Sequence, residues 1–134
     1  MGSIAVILLD THVLVWAVAE SKRLSKAASA AILKGTTEGG LAIADITLWE
    51  LAMLLSRGRI QAYGTVEASV RLLTDGVAIK PITPEIAAIS AQFPADFPQD
   101  PADRLIAATA RSEGIALVTR DEKLRMSPLL QTIW

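Results

Sequence analysis

The chain has 134 residues, 51% of them hydrophobic and 20% charged, a size and composition suited to one domain with its own continuous core. It holds no cysteine and a single histidine, which excludes disulfides and thiolate metal sites, leaves Cys–His and Ser–His–Asp catalysis little to work with, and suits a reducing, cytoplasmic setting. With 13 lysines and arginines against 14 acids the formal net charge is −1, so the chain lacks the overall basic field expected of a protein that grips nucleic acid.

Residues 4–9 (IAVILL) form a short run of branched apolar residues, the pattern of a strand buried on both faces, and the run ends at Asp10. Residues 11–19 and the alanine-rich residues 25–34 read as two helices, the second stopping before Gly35. Asp10, Thr11 and His12 interrupt the apolar stretch of residues 4–19, which makes a membrane span costly, and no basic export segment precedes it. No membrane association is expected. A second buried strand spans residues 41–44, after which Asp45 or Thr47 can cap a helix running to about Arg57, ahead of Gly58. Another helix begins after Thr65.

Residues 77–82 read as a third strand, and Thr83-Pro84-Glu85 as a helix start, because proline is favoured at the first helical position. Residues 93–99, with Pro94 and Pro98, read as a loop. The same helix-opening grammar recurs at Asp100-Pro101-Ala102-Asp103, and that helix should end near Gly114. Residues 115–119 make a fourth strand, followed by Asp121 and a short helix over residues 122–124. Strands alternating with helices predict a three-layer α/β/α domain with a mainly parallel central sheet. Without repeats or a linker, residues 1–134 form a single domain.

In open parallel sheets ligands bind beyond the carboxyl ends of the strands. Asp10 follows the first strand, Asp121 follows the fourth, and Asp103 lies in the first turn of the helix that leads into the fourth. Glu50 is the only charged residue between Ile46 and Leu55, and its helical neighbours are Ile46, Thr47, Met53 and Leu54. An ionised carboxylate in such surroundings costs several kcal/mol unless it is paired or metal-bound, so a cation should meet it. Gathered carboxylates without a cysteine or histidine cluster suit hard cations, Mg²⁺ or Mn²⁺, ahead of zinc. Such a site hydrolyses a phosphodiester without a covalent nucleophile.

Each acid also has a plainer reading. Asp100 can simply cap its helix with Asp103 as third-position partner, Asp10 can form a turn or cap, Asp121 can start the short helix, and Glu50 can pair with an arginine. His12 fits a packed or turn residue better than a ligand, and Trp16 and Trp49 fit the core better than base-stacking platforms. Arg104 and Arg120 stand beside two of the acids and can meet phosphate, with Arg57 and Arg59 extending the surface, although solvated charge explains all four as well. An aspartyl-phosphate enzyme built on Asp10 is disfavoured, because His12 stands where a second aspartate belongs.

The segments LLDTHVLVWA, ITLWELAMLLSRGRI, DPADRLIAATA and LVTRDEKL, in this order and spacing, resemble the VapC-type PIN-domain toxins of bacterial toxin–antitoxin pairs. The resemblance covers nearly the whole chain. It implies the three-layer α/β fold, Mg²⁺- or Mn²⁺-dependent cleavage of RNA, a cognate VapB-like antitoxin and a homodimer. It maps the acidic site onto Asp10, Glu50, Asp103 and Asp121, with hydroxyls from Thr11 and Thr119 near the metal or its waters and Asp100 in a secondary place. A catalytically silent PIN-fold module that binds RNA or protein is the alternative, and the intact set of acids weighs against it.

Overall fold

The structure is a computed structural model that describes residues 6–134. Five short strands, β1 (Ile7–Leu9), β2 (Leu41–Ala44), β3 (Ala78–Lys80), β4 (Ala116–Val118) and β5 (Thr132–Ile133), form one sheet in the order β3-β2-β1-β4-β5. Every neighbouring pair is parallel. Ile4 and Ala5, which the sequence adds to the first strand, lie outside the described residues. Among the described residues seven α-helices connect the strands: α1 (Thr11–Ala19), α2 (Lys26–Glu38), α3 (Ile46–Ser56), α4 (Val66–Leu73), α5 (Pro84–Gln92), α6 (Pro101–Glu113) and α7 (Glu122–Met126), with a short 3-10 turn (Ser21–Arg23) between α1 and α2.

Alternation along the strands splits the interior into two cores, as it must when both faces of a sheet are covered. Leu9, Ile43 and Val118 face a cluster that holds Val13, Ile32, Leu51 and Leu73. Leu8, Ala42 and Leu117 face the other, with Ile86, Phe93, Ile106 and Leu124. The expected three layers follow. Two strands are added on one side of β1 and two on the other, so the chain reverses direction across the sheet between β1 and β4. That is a topological switch point, where loops diverge and leave a crevice at the carboxyl ends.

Local chemistry sets most helix starts. Ser25 accepts from the Ala28 amide, Thr65 from Ala68 and Thr83 from Ile86, each closing an otherwise unpaired amide of the first turn. Three expectations need correction. Helix α2 does not stop at Gly35 but continues to Glu38 and ends at Gly39, whose φ of 69° is left-handed. Gly35 stays inside the helix because Leu41 packs against it, and a β-carbon there would come within 2.5 Å of that side chain. Trp49 is not in the core: it is 58% exposed on the outer face of α3. Asp45 precedes α3 without capping it, and its Oδ2 instead accepts from the Ile82 amide at 3.0 Å, tying the exit of β3 to the start of α3. Among the described residues no helix is long and apolar enough to cross a membrane.

Candidate active site

Asp10 is the first residue beyond β1, and its amide still donates to the Val118 carbonyl at 3.1 Å. Both of its carboxylate oxygens are occupied. Oδ1 accepts from the Thr11 amide at 2.8 Å, which caps α1, and Oδ2 accepts from the Thr119 hydroxyl at 2.8 Å. The same Thr119 hydroxyl accepts from the Asp121 amide at 3.1 Å. One buried threonine therefore joins the ends of β1 and β4 across the switch point. Asp10 also sits at the positive end of α1, a position that favours negative charge.

Glu50 is brought in from α3 by a second threonine. The Thr11 hydroxyl donates to Glu50 Oε1 at 2.5 Å and lies 3.0 Å from the Thr47 hydroxyl. With its proton committed to Glu50, Thr11 accepts from Thr47. Both threonines are buried, at 1% and 0% exposure. Thr47 stands one helical turn before Glu50, on the same face. Among the described residues Glu50 has a neutral hydroxyl as its partner and no arginine or lysine paired with it.

Asp100 caps α6, its Oδ1 accepting from the amides of Ala102 at 2.8 Å and Asp103 at 3.2 Å. The plain capping reading thus describes Asp100 well. Asp121 likewise caps α7 through the Leu124 amide at 3.1 Å. Asp10, Glu50, Asp100, Asp103 and Asp121 nonetheless line one open cleft of about 470 Å³, with Arg120 the single arginine in its wall.

Electrostatics reflect this crowding. The Asp103 carboxyl is pushed up from 3.8 to about 7, by burial first and then by the negative charges of Asp10, Asp100, Asp121 and Glu50. Burial raises Asp10 and Glu50 as well, against the lowering effect of hydrogen bonds from Thr119 and Thr11 respectively. Among the described residues the ion pairs are Arg23–Glu20, Arg71–Glu67 and Lys80–Glu113, and none involves the cleft acids. The described residues also contain no group of three His, Cys, Asp or Glu side chains placed as a metal cage. The acids line a cleft; they do not close a coordination sphere.

The remaining candidates divide. Arg120 is exposed at the cleft wall, its guanidinium 5.8 Å from the centre of the Trp16 ring. Arg104 is engaged elsewhere: it donates to the carbonyls of Pro98 at 2.8 Å, Ser90 at 3.1 Å and Pro94 at 3.4 Å, and lies over Phe97. It fastens the loop between α5 and α6, a role that neither the phosphate contact nor the solvated surface charge considered for it anticipates. Arg57 and Arg59 are exposed. His12 is an exposed residue of the cleft rim, while Trp16, at 9% exposure, is in the core as expected. Thr47 is the residue of the site that the sequence reading does not include. The signal for Thr47 was a small polar residue one turn from an isolated acid.

Residues 7–126 match the PIN domain family. Ribonuclease VapC22 of Mycobacterium tuberculosis (strain ATCC 25618 / H37Rv) is 45% identical over 130 residues, which are 96% of this chain and 98% of that protein. Among solved structures, VapBC2 from Rickettsia felis bound to a fragment of its promoter DNA aligns with a TM-score of 0.70 at 18% identity, over 95% of this chain and 96% of that one. DNA-bound VapBC from Salmonella typhimurium aligns with a TM-score of 0.69 at 21% identity, over 96% of each chain. At those identities the structures bear on the fold, and they agree with the five-stranded parallel sheet.

Proposed function

Since the chain belongs to the PIN-domain family and to its VapC-type ribonucleases, we propose that it is the toxin of a toxin–antitoxin pair, an endoribonuclease that hydrolyses RNA phosphodiesters with Mg²⁺ or Mn²⁺. The observation that carries this reading is the gathering of Asp10, Glu50, Asp103 and Asp121 in one cleft, with threonine hydroxyls and helix-capping amides as the partners of Asp10, Glu50 and Asp121 and, among the described residues, no ion pair to neutralise any of the four.

The donor set fits the ion. All four groups offer oxygen, and Mg²⁺ dehydrates reluctantly, so it is commonly held by one or two carboxylates with several waters and substrate phosphate in place of a closed protein cage. An open cleft suits that mode. Asp10, Glu50 and Asp103 would be the principal ligands, with Asp121 completing a second or weaker position. When bound, a divalent ion supplies an activated water and neutralises charge on the phosphate. The protein's own contribution is orientation. Thr119 and the Thr11 amide fix both oxygens of Asp10, and the Thr11 hydroxyl fixes Glu50. Asp103, whose pKa is about 7, can exchange a proton near neutrality while unliganded. Arg120 stands at the rim, placed to meet a phosphate.

Labelled RNA incubated with Mg²⁺ or Mn²⁺ tests the reading. The parent protein should cleave it and Asp10→Asn should not. Equal activity of the two, or binding of RNA without cleavage by the parent, rejects the nuclease and returns the silent binding module.

A VapB-type antitoxin is the partner this reading calls for, in the cytoplasm where the RNA is. The aligned VapBC structures support it by likeness of fold. Homodimerisation is part of the same proposal, supported by the exposed indole of Trp49 on an otherwise apolar helix. Light scattering that gives a monomer at micromolar concentration rejects the dimer.

A further inference from the structure

A second cavity of about 500 Å³ adjoins the acidic cleft, and the two share His12 and Trp16 as a common wall. Its size is that of an ordinary small-ligand site. Its balance of charge differs from that of its neighbour. Two arginines, Arg23 and Arg59, line it against one acid, Glu20, with Tyr63 and Gln61 beside them and apolar side chains from α1, α3 and α4 completing it. The guanidinium of Arg23 lies 4.8 Å from the Trp16 ring centre, and that of Arg120, on the acidic side, 5.8 Å from it. Two cations thus flank the one indole that separates the cavities.

We propose that this second cavity is the subsite for a nucleotide of single-stranded RNA next to the scissile phosphate, with Arg59 and Arg23 meeting backbone phosphate and Tyr63 stacking on the base. The inference rests on the nuclease reading and gives it a substrate path. A net charge of −1 and five acids in the cleft leave a polyanion no general attraction to the protein, so cations have to be concentrated where the chain of phosphates runs on. Arg120, Arg23 and Arg59 supply that concentration, beginning at the edge of the acidic cleft. The Arg23–Glu20 pair at 3.2 Å is a surface pair, with side chains 52% and 54% exposed, and such a pair yields readily to a phosphate. Arg59 forms no ion pair among the described residues.

Tyr63 is suited to the stacking role by exposure and by anchoring. It is 45% exposed and lines the cavity. Its amide donates at 2.8 Å to Ser69 Oγ, which is fully buried and donates in turn to the Thr65 carbonyl at 2.8 Å. The backbone carrying the ring is therefore held at the start of α4. Sequence-specific RNA binding works on splayed single strands, whose bases stack on aromatic rings and offer their edges to groups such as the Gln61 amide. An acidic peptide is the rival occupant, and it lacks the base that a ring face and a carboxamide together recognise.

The test separates binding from cleavage. In an Asp10→Asn background, a fluorescein-labelled, short single-stranded oligoribonucleotide of mixed sequence is titrated by anisotropy in MgCl₂ over a series of salt concentrations. Tyr63→Ala is expected to weaken binding on the order of ten-fold, with Tyr63→Phe restoring it. Arg59→Ala should weaken binding and reduce the slope of log affinity against log salt by about one. In the active protein the same changes should raise KM by more than they lower kcat. Unaltered RNA affinity and salt slope in both variants, or intact RNA binding with lost affinity for a glutamate-rich peptide, overturns the subsite. A parent protein that cleaves no RNA but binds it with the Arg59 and Tyr63 dependence supports the subsite and sinks the nuclease reading, so the two failures are distinguishable.

Discussion

Asp103 makes the metal-free protein less stable as pH rises. Its carboxyl titrates at about 7 in the fold, against 3.8 for the ordinary group. Between about pH 4 and pH 7 the folded state therefore holds a proton that the unfolded state has released, and linkage makes stability fall across that window, with the full loss in place above it. The interval from 3.8 to about 7 corresponds to a ceiling of about 4 kcal/mol at 1.36 kcal/mol per pH unit. Asp103 is only part-buried, so solvent screening reduces this to about 1–2 kcal/mol. Asp10 and Glu50, raised in the same direction, add to the trend. For a domain of this size the loss amounts to roughly 3–8 °C in Tm. Thermal melts in a chelator from pH 5 to pH 8.5 should show the decline, and Asp103→Asn should flatten most of it and melt above the parent at pH 8. A parent Tm that is flat or rises from pH 5 to pH 8, or an Asn variant no more stable than the parent at pH 8, refutes the account of a carboxyl raised by burial and by its acidic neighbours.

Three further outcomes test the same site and its supports. Glu50→Gln should abolish most RNA cleavage while leaving the metal-free fold intact or more stable, because a part-buried charge is removed and the Thr11 hydroxyl keeps an acceptor; a fully active variant rejects Glu50 as a ligand. Millimolar Mg²⁺ or Mn²⁺ should raise Tm, by about 2.7 kcal/mol of stability at a hundred times Kd, and unmoved melting curves with both ions count against the metal site. Arg104→Ala should destabilise the fold by about 2 kcal/mol, since three carbonyls of the α5–α6 loop lose their charged donor, with RNA affinity unchanged in the folded protein; an affinity loss at constant stability restores the phosphate role.

What was legible in the sequence divides along physical lines. The buried strands could be read because a strand covered on both faces must be continuously apolar, and the acids at their ends stood out against those runs. Proline and threonine at residues 83–84 and aspartate and proline at residues 100–101 announced two helices, as capping chemistry is local. Helix α3 was harder. Its sequence is apolar on every side, so periodicity cannot say which face meets solvent, and nothing in it marks Trp49 as the residue that lies outside. Gly35 carried the signature of a helix end, but the deciding contact is with Leu41, across a turn that no local rule weighs. Strand β5 has two residues, too few for any pattern. Arg104 looked available because its neighbour is Asp103, whereas its partners are carbonyls as far back as Ser90.

Four of the five cleft acids, Asp10, Glu50, Asp100 and Asp121, have their positions set by neutral donors. Thr11, Thr47 and Thr119 orient Asp10 and Glu50 without neutralising them, and the amides of α6 and α7 do the same for Asp100 and Asp121. Had arginines held these carboxylates, the desolvation cost would be compensated, but a bidentate guanidinium would occupy the oxygens that an ion needs. Neutral scaffolding preserves both the orientation and the unmet charge. The same arrangement leaves the cleft open to a guanidinium from outside, which is the simplest way for an antitoxin to silence it. Inhibition by the product of the neighbouring gene should therefore depend on one of that partner's arginines and weaken as Mn²⁺ concentration rises, since both compete for the same carboxylates. Cleavage assays with arginine-to-alanine variants of the partner, each across a range of Mn²⁺ concentrations, measure this directly. Inhibition that survives every arginine change and is indifferent to metal concentration means that the partner acts away from the acids, by covering the RNA path or by distorting the fold.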